Sequence, residues 1–134
     1  MDWKIEVIVV PVSDVDRAKA FYTDGLGFHL DVDHAMSESF RIVQMTPPGS
    51  GCSVTIGVGL ADMAPGSLKG VQLVVDDIEA AHAELTGRGV DIGEIVHFED
   101  GEQRPGKGDR WNSFFFFSDP DGNGWGVQER PAEG

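Results

Sequence analysis

The sequence predicts an α+β fold built from two successive β-α-β-β-β modules, and three observations support this. First, a short internal repeat matches Val12–Ala18 to Val75–Ala81 at an offset of 63 residues. Second, each copy follows an apolar run rich in β-branched residues and opens a pattern with helical spacing. Third, breaks rich in Gly and Pro divide the rest of each half into short strand-like runs.

The first half begins with a strand that leads directly into a helix. Ser13 or Asp14 is expected to cap this helix, and Val15 and Tyr22 lie a helical interval apart on its apolar face. The polar stretch His34–Ser39 is expected to connect two strands. The predicted strands of this half are Ile5–Val12, Phe28–Val32, Phe40–Met45 and Ser53–Val58.

The second half repeats this order. Asp76 or Asp77 is expected to cap its helix, in which Ile78, Ala81 and Leu85 have helical spacing. The predicted strands of this half are Val71–Val75, Ile92–His97, Asn112–Phe117 and Trp125–Gln128.

The two halves are expected to share one domain that covers residues 1–134. Module one spans about residues 1–60 and module two about residues 68–130, with the Pro- and Gly-containing segment Gly59–Lys69 as the linker. The segment Asp121–Gly124 predicts a hairpin turn before the last strand, because Gly and Asn tolerate positive φ angles.

The chain is strongly acidic, with a formal net charge of −13 and a pI of about 4.4. Such a chain repels nucleic acid and anionic membrane surfaces, so we expect neither as a partner. No apolar run approaches the roughly 18 residues that span a bilayer. The N-terminal residues also lack the basic stretch and apolar core of a signal peptide, so a cytoplasmic location is expected.

Four stretches occur in order along nearly the whole chain: Pro11–Tyr22, Leu26–Phe28, Val74–Glu79 and Phe116–Asn123. This ordered set resembles the vicinal oxygen chelate superfamily, which includes glyoxalase I, bleomycin-resistance proteins, fosfomycin-resistance proteins and extradiol dioxygenases. The resemblance implies a curved, eight-stranded mixed sheet around a cleft, with the helices outside. It also implies that two chains pair as a homodimer.

The metalloenzymes of that superfamily hold a divalent ion with His, Gln and Glu side chains on their strands. By the resemblance, these ligand positions fall at Val7, Gly70 and Gly126 and within Cys52–Val58. None of these positions carries an Asp, Glu, Gln or His side chain. We therefore predict that the protein has no metal site and no cofactor, and that metal-dependent glyoxalase or dioxygenase chemistry is absent.

Strand alternation then predicts which residues line the cleft. The expected ligand-binding residues share the parity of the ligand positions and are Val7, Val9, Gly70, Gln72, Phe114, Phe116, Gly126 and Gln128. Phe115 and Phe117 have the opposite parity and are expected to pack under a helix.

An apolar cleft with two side-chain amides suits the binding of a hydrophobic, aromatic small molecule. The sequence therefore predicts a metal-free binding protein that sequesters such a ligand, as bleomycin-resistance proteins bind their antibiotic, and that has no catalytic residue. The alternatives are an enzyme of the same superfamily, such as a lyase, an isomerase or a dioxygenase, and phenylalanines that only fill a closed core.

Overall fold

A computed structural model describes residues 1–132 and divides them into two compact units. The first unit comprises Met1–Leu68 together with Asp119–Asn123, and the second comprises Lys69–Ser118 and residues 124–132. In the described residues no helix is long and apolar enough to cross a membrane.

The first unit contains a four-stranded sheet of order β1-β4-β3-β2. Helix α1 runs directly into a π-helical turn at Phe21–Gly25. The elements are β1 Val7–Val9, α1 Val15–Ala20, β2 His29–Ser37, β3 Phe40–Thr46 and β4 Ser53–Val58.

The second unit contains a five-stranded sheet of order β5-β9-β8-β6-β7. Its elements are β5 Val71–Val75, α2 Ile78–Gly87, β6 Val96–Glu99, β7 Glu102–Pro105, β8 Phe114–Ser118 and β9 Gly124–Glu129.

The prediction of an α+β fold with repeated strand–helix modules is confirmed, but the strand count differs. Residues 1–132 form nine strands in two mixed sheets, whereas one eight-stranded sheet was expected. The additional strand is β7, which pairs antiparallel with β6 so that Glu99 lies opposite Glu102. The connecting residues Asp100 and Gly101 both have positive φ angles, at 53° and 77°, as in a two-residue hairpin turn.

Helix α1 covers one face of the first sheet. Asp14 is its N-cap, because its side chain accepts a hydrogen bond from the Arg17 backbone nitrogen at 3.0 Å. The core of this unit is formed by apolar residues that are almost completely buried: Val10, Ala18, Tyr22, Val43, Met45, Val54 and Ile56.

Strand β2 is longer than predicted, because His34–Ser37 continue it as an edge strand instead of connecting two strands. Edge positions accept polar residues, since one side of the strand faces solvent. Asp33 on β2 binds Arg41 through two hydrogen bonds of 3.0 and 2.9 Å and binds Lys19 at 2.8 Å. The hydrogen bonds from Arg41 and then from Lys19 hold the pKa of Asp33 well below its usual range.

The turn Asp119–Asn123 is held by the buried carboxylate of Asp119. One oxygen accepts from the backbone nitrogens of Asp121 and Asn123 at 3.0 and 2.9 Å. The other accepts from the Tyr22 hydroxyl at 2.7 Å and from the Asn123 side-chain amide at 2.8 Å. The same amide donates to the Pro11 carbonyl at 2.8 Å. The turn is therefore fixed by hydrogen bonds between protein groups.

Helix α2 covers one face of the second sheet. Asp77 caps it by accepting from the Ala80 backbone nitrogen at 3.0 Å. His82 of α2 lies edge-on against the buried ring of Phe115, with ring centroids 5.2 Å apart. The His82 ring also makes a 3.0 Å hydrogen bond with the Gly93 carbonyl. These contacts identify the face of β8 that carries Phe115 as the helix-covered face.

Asp119→Ala is expected to lower the free energy of unfolding by about 3 kcal/mol, because it leaves the buried Tyr22 hydroxyl and two backbone donors without their acceptor. Tyr22→Phe is the matched control, since it removes only one of these hydrogen bonds and should cost about 1 kcal/mol. Urea unfolding followed by circular dichroism measures both. Equal losses for the two variants would contradict the central role of the Asp119 carboxylate.

Candidate functional site

The four consecutive phenylalanines of β8 divide between the two faces of the second sheet. Phe115 and Phe117 are buried, whereas the side of the strand that carries Phe114 and Phe116 is open and Phe116 keeps 40% of its surface exposed. The rings of Phe114 and Phe116 lie parallel within 7°, with centroids 6.0 Å apart. Phe98 of β6 meets both rings edge-on. We call the open side that carries these three rings the aromatic face.

The strand register places three further predicted residues on the aromatic face. Gly126 of β9 lies directly opposite Phe116, and Gln128 lies opposite Phe114. Gln72 of β5 lies opposite Gly126 on the other side of β9. Because opposite residues in a sheet point to the same side, these side chains share one surface. The structure thus brings together five of the eight predicted ligand-binding residues on one face.

Gly126 allows the Phe116 ring to lie across the sheet. A Cβ atom at this position would stand 3.1 Å from Phe116 Cε1 and 3.2 Å from Cδ1, closer than an ordinary contact. An aromatic ring over a cross-strand glycine covers backbone that would otherwise be bare. The space that the missing side chain leaves is therefore partly filled by Phe116, which the sequence did not indicate.

A surface cavity of about 480 Å³ adjoins the aromatic face. Its size is within the range of small-molecule sites. Gly70 lines it, but strand alternation does not apply to this residue, because it precedes β5 with a φ of 85°, a left-handed conformation that favours glycine. Phe114 and Gln128 are not among its lining residues, which are Gly70, Val71, Gln72, Phe116, Phe117, Ser118, Gly124, Trp125 and Gly126.

The two glutamines of the aromatic face are hydrogen-bonded in series. Gln72 Nε2 donates to Gln128 Oε1 at 2.7 Å, and Gln128 Nε2 donates to the Trp111 carbonyl oxygen at 2.7 Å. Trp111 has a φ of 63°, a rare conformation for a bulky residue. The Gln128 amide is therefore held by a backbone carbonyl, and the Gln72 amide is held by Gln128.

The remaining two predicted site residues, Val7 and Val9, lie on β1 in the first unit, away from the helix-covered side. On the same side, Val7 pairs with Ser53 of β4. Ser53 is hydrogen-bonded to Thr46 at 2.6 Å, and Thr46 donates to Asp31. This hydrogen-bonded series of two hydroxyl groups and one carboxylate was not predicted, because it joins residues from three strands.

The residues at the superfamily's ligand positions do not fit a divalent ion. Val7, Gly70 and Gly126 have no donor atom in their side chains. On the aromatic face the polar groups are Gln72 and Gln128, whose amides are already bonded to each other. Within residues 1–132 no group of three or more His, Cys, Asp or Glu side chains is placed to hold a metal ion. The role of the eight predicted residues in ligand binding stays a prediction.

Phe98 is a residue of the aromatic face that the sequence reasoning missed. The strand predicted at Ile92–His97 ended two residues too early, since β6 spans Val96–Glu99. Two signals could have extended it. Val96 and Phe98 follow the two-residue period of a strand, and Asp100-Gly101 is a common hairpin turn.

The family model described as Glyoxalase/Bleomycin resistance protein/Dioxygenase superfamily matches residues 4–127. The chain is 32% identical to TnmS3, an antibiotic binding protein from Streptomyces sp. CB03234, with a TM-score of 0.77 over 96% of this chain and 97% of that one. A glyoxalase/bleomycin resistance protein from the same organism is 34% identical, with a TM-score of 0.73 over 93% and 99% of the two chains. YetH of Bacillus subtilis (strain 168) is 25% identical over 94% of this chain and 98% of its own.

Phe115→Ala and Phe116→Ala form a matched pair of adjacent substitutions. Phe115→Ala should lower the free energy of unfolding by about 3–5 kcal/mol, because it opens a cavity under α2. Phe116→Ala should cost less than about half of that, since its ring already has contact with water. Thermal and urea unfolding measure the difference. If the two variants lose equal stability, Phe116 belongs to the core and not to an open face.

Proposed function

Because the chain belongs to the Glyoxalase/Bleomycin resistance protein/Dioxygenase superfamily, whose model matches residues 4–127, we propose that it binds and sequesters a hydrophobic, aromatic small molecule without a metal ion. The observation that carries this proposal is the stacked pair of Phe114 and Phe116, open on one side beside a cavity of about 480 Å³. Exposed aromatic rings of this kind offer a flat surface to a flat ligand.

The proposed contacts follow from the geometry of the rings. Phe114 and Phe116 are nearly parallel, so a planar ligand lies against the ring edges or stacks with an offset on one of them. Phe98 stands at 70° to Phe114 and closes one side of this surface. The ligand therefore gains apolar contact from two directions.

The lining of the cavity favours binding over acid–base catalysis. General acid–base catalysis requires a titratable side chain within hydrogen-bonding reach of the substrate. The nine lining residues, all within the described chain, are Gly, Val, Gln, Phe, Ser and Trp and include no such side chain. Affinity alone accounts for the function: a ligand of roughly 30 heavy atoms at about −0.3 kcal/mol per atom reaches sub-micromolar binding.

The antibiotic-binding relative suggests the class of ligand. TnmS3 is described as an antibiotic binding protein, and the two chains share 32% identity over nearly their full lengths. We propose that the ligand of this chain is likewise an aromatic antibiotic or a related natural product, and that sequestration protects the producing or exposed cell. Genes for antibiotic biosynthesis beside this gene would support self-resistance, and genes of primary metabolism would argue for another ligand.

Gly126→Glu tests the site, because its side chain would enter the space taken by the Phe116 ring and place a charge on an apolar surface. We expect the Kd for aromatic ligands to rise at least about tenfold, which corresponds to about 1.4 kcal/mol. A thermal-shift screen with aromatic antibiotics and divalent metal ions, followed by calorimetry on the hits, measures this.

Gly87→Glu is the control for charge, since Gly87 lies at the end of α2 with open space around it. Aromatic compounds should raise the melting temperature of both wild type and Gly87→Glu. In Phe116→Ala, the loss of binding free energy for these compounds should exceed the loss of unfolding free energy of the free protein. Stabilisation by a divalent metal ion but by no aromatic compound would contradict the proposal. So would unchanged binding in Gly126→Glu.

We further propose that the chain forms a homodimer. The edge strands β2 and β7 carry charged residues, and β7 ends in Pro105, which are features that prevent edge pairing. The other edge strands, β1 and β5, have the apolar sequences Val-Ile-Val and Val-Gln-Leu-Val-Val. An apolar edge with unpaired backbone groups favours association with a second chain.

Light scattering at micromolar concentration is expected to give about twice the chain mass of 14.5 kDa. The dimer should persist in high salt, because apolar contacts and backbone hydrogen bonds are not screened as surface charges are. A mass of one chain across the micromolar range would show that β1 and β5 do not mediate stable pairing.

A further inference from the structure

The series of amides on the aromatic face has a defined direction. Gln128 Nε2 donates to the carbonyl oxygen of Trp111, which is an acceptor only. The Gln128 amide must therefore present its oxygen to Gln72, and Gln72 must donate a hydrogen bond to that oxygen through its nitrogen. The backbone carbonyl thus determines the orientation of both side chains, and neither amide can turn over without losing a hydrogen bond.

The position of Trp111 is itself fixed by its neighbour. The Asn112 side chain accepts from the Phe98 backbone nitrogen at 2.9 Å and donates to the Phe98 carbonyl at 2.8 Å. These two bonds attach the segment to β6, while Trp111 adopts its positive φ of 63°. A bulky residue keeps such a conformation only where the surrounding structure holds it. The carbonyl that orients Gln128 is therefore a rigid reference point.

The free end of the series is the oxygen of Gln72. Gln72 Oε1 lies 3.8 Å from where a Cβ atom of Gly126 would stand, beside the Phe116 ring. Gln72 also lines the cavity of about 480 Å³. No hydrogen bond within residues 1–132 uses this oxygen. Gln72 Oε1 is therefore a hydrogen-bond acceptor of fixed orientation next to the Phe116 ring of the aromatic face.

We propose that Gln72 Oε1 selects ligands that carry a hydrogen-bond donor at the edge of an aromatic ring, such as a phenolic hydroxyl or a ring N–H. Gln72 is the residue that contacts the ligand, and Gln128 is a positioning residue that acts through it. This proposal rests on the proposed function, since it specifies the ligand class of the same aromatic face. A ligand that brings only acceptor atoms to this position leaves Gln72 Oε1 unpaired and is disfavoured.

The test compares 2-naphthol, which has a donor hydroxyl, with 2-methoxynaphthalene, in which that donor is methylated. Calorimetry gives the ratio of the two Kd values for wild type, Gln72→Met and Gln128→Met. Comparing this ratio between wild type and a variant cancels the difference in hydrophobicity between the two probes, because that difference is the same for every protein. We expect the preference for 2-naphthol to fall roughly three- to tenfold in Gln72→Met, the effect of one neutral hydrogen bond.

Gln128→Met is the decisive variant for the orientation, because it keeps Gln72 but removes what holds its amide. Gln72 can then turn over and donate, so the preference for 2-naphthol should fall while 2-methoxynaphthalene still binds. Thr86→Met, at an exposed position of helix α2 on the other face of the sheet, is the control and should leave the ratio unchanged. Melting temperatures of all variants verify that each is folded.

The outcomes separate this proposal from the proposed function. If both probes bind wild type and the ratio is the same in Gln72→Met, the donor selection is wrong and the aromatic site stands. If the ratio falls in Gln72→Met but not in Gln128→Met, the orientation through Trp111 is wrong. If neither probe binds wild type at about millimolar concentration, the aromatic face is not a binding site and both proposals fall.

Discussion

The buried carboxylate of Asp119 is the interaction on which the candidate site depends. It accepts four hydrogen bonds and thereby fixes the turn between β8 and β9. A hairpin's turn sets the register of its strands, and a shift by one residue would reverse the side to which every side chain points. The pairing of Phe116 with Gly126 therefore follows from the geometry of this turn.

The register in turn explains how four identical residues have two roles. Period-two alternation in β8 sends Phe115 and Phe117 into the core and leaves Phe114 and Phe116 on the open side. Gly126 then allows the Phe116 ring to lie close to the sheet, and Gln72 and Gln128 border the rings without a charge. A surface of rings and neutral amides differs from the donor set that a divalent ion requires. Membership of the superfamily therefore establishes the fold but not the chemistry of the site.

The amide series shows how a backbone constraint reaches a side chain at the surface. The carbonyl of Trp111 orients Gln128, and Gln128 orients Gln72. Each hydrogen bond is modest by itself, but together they leave one atom type facing the cavity. Orientation of this kind limits which ligands are compatible without adding contact area.

The sequence by itself determined the α+β class, the repeated modules, the start of each helix to within one residue and the alternation of the phenylalanines, because these follow from local spacing and the two-residue period of a strand. It also predicted the apolar character of the ligand positions. Only the tertiary structure decided that Glu102–Pro105 form a ninth strand, that Phe98 joins the aromatic face and that Gly70 precedes β5 with a positive φ angle. Only the tertiary structure placed Gln72, Gln128 and Trp111 in one series, because these residues are distant in the chain and meet through strand register. Local patterns fix which side of a strand a residue occupies, whereas contacts between strands depend on pairing that no local pattern encodes.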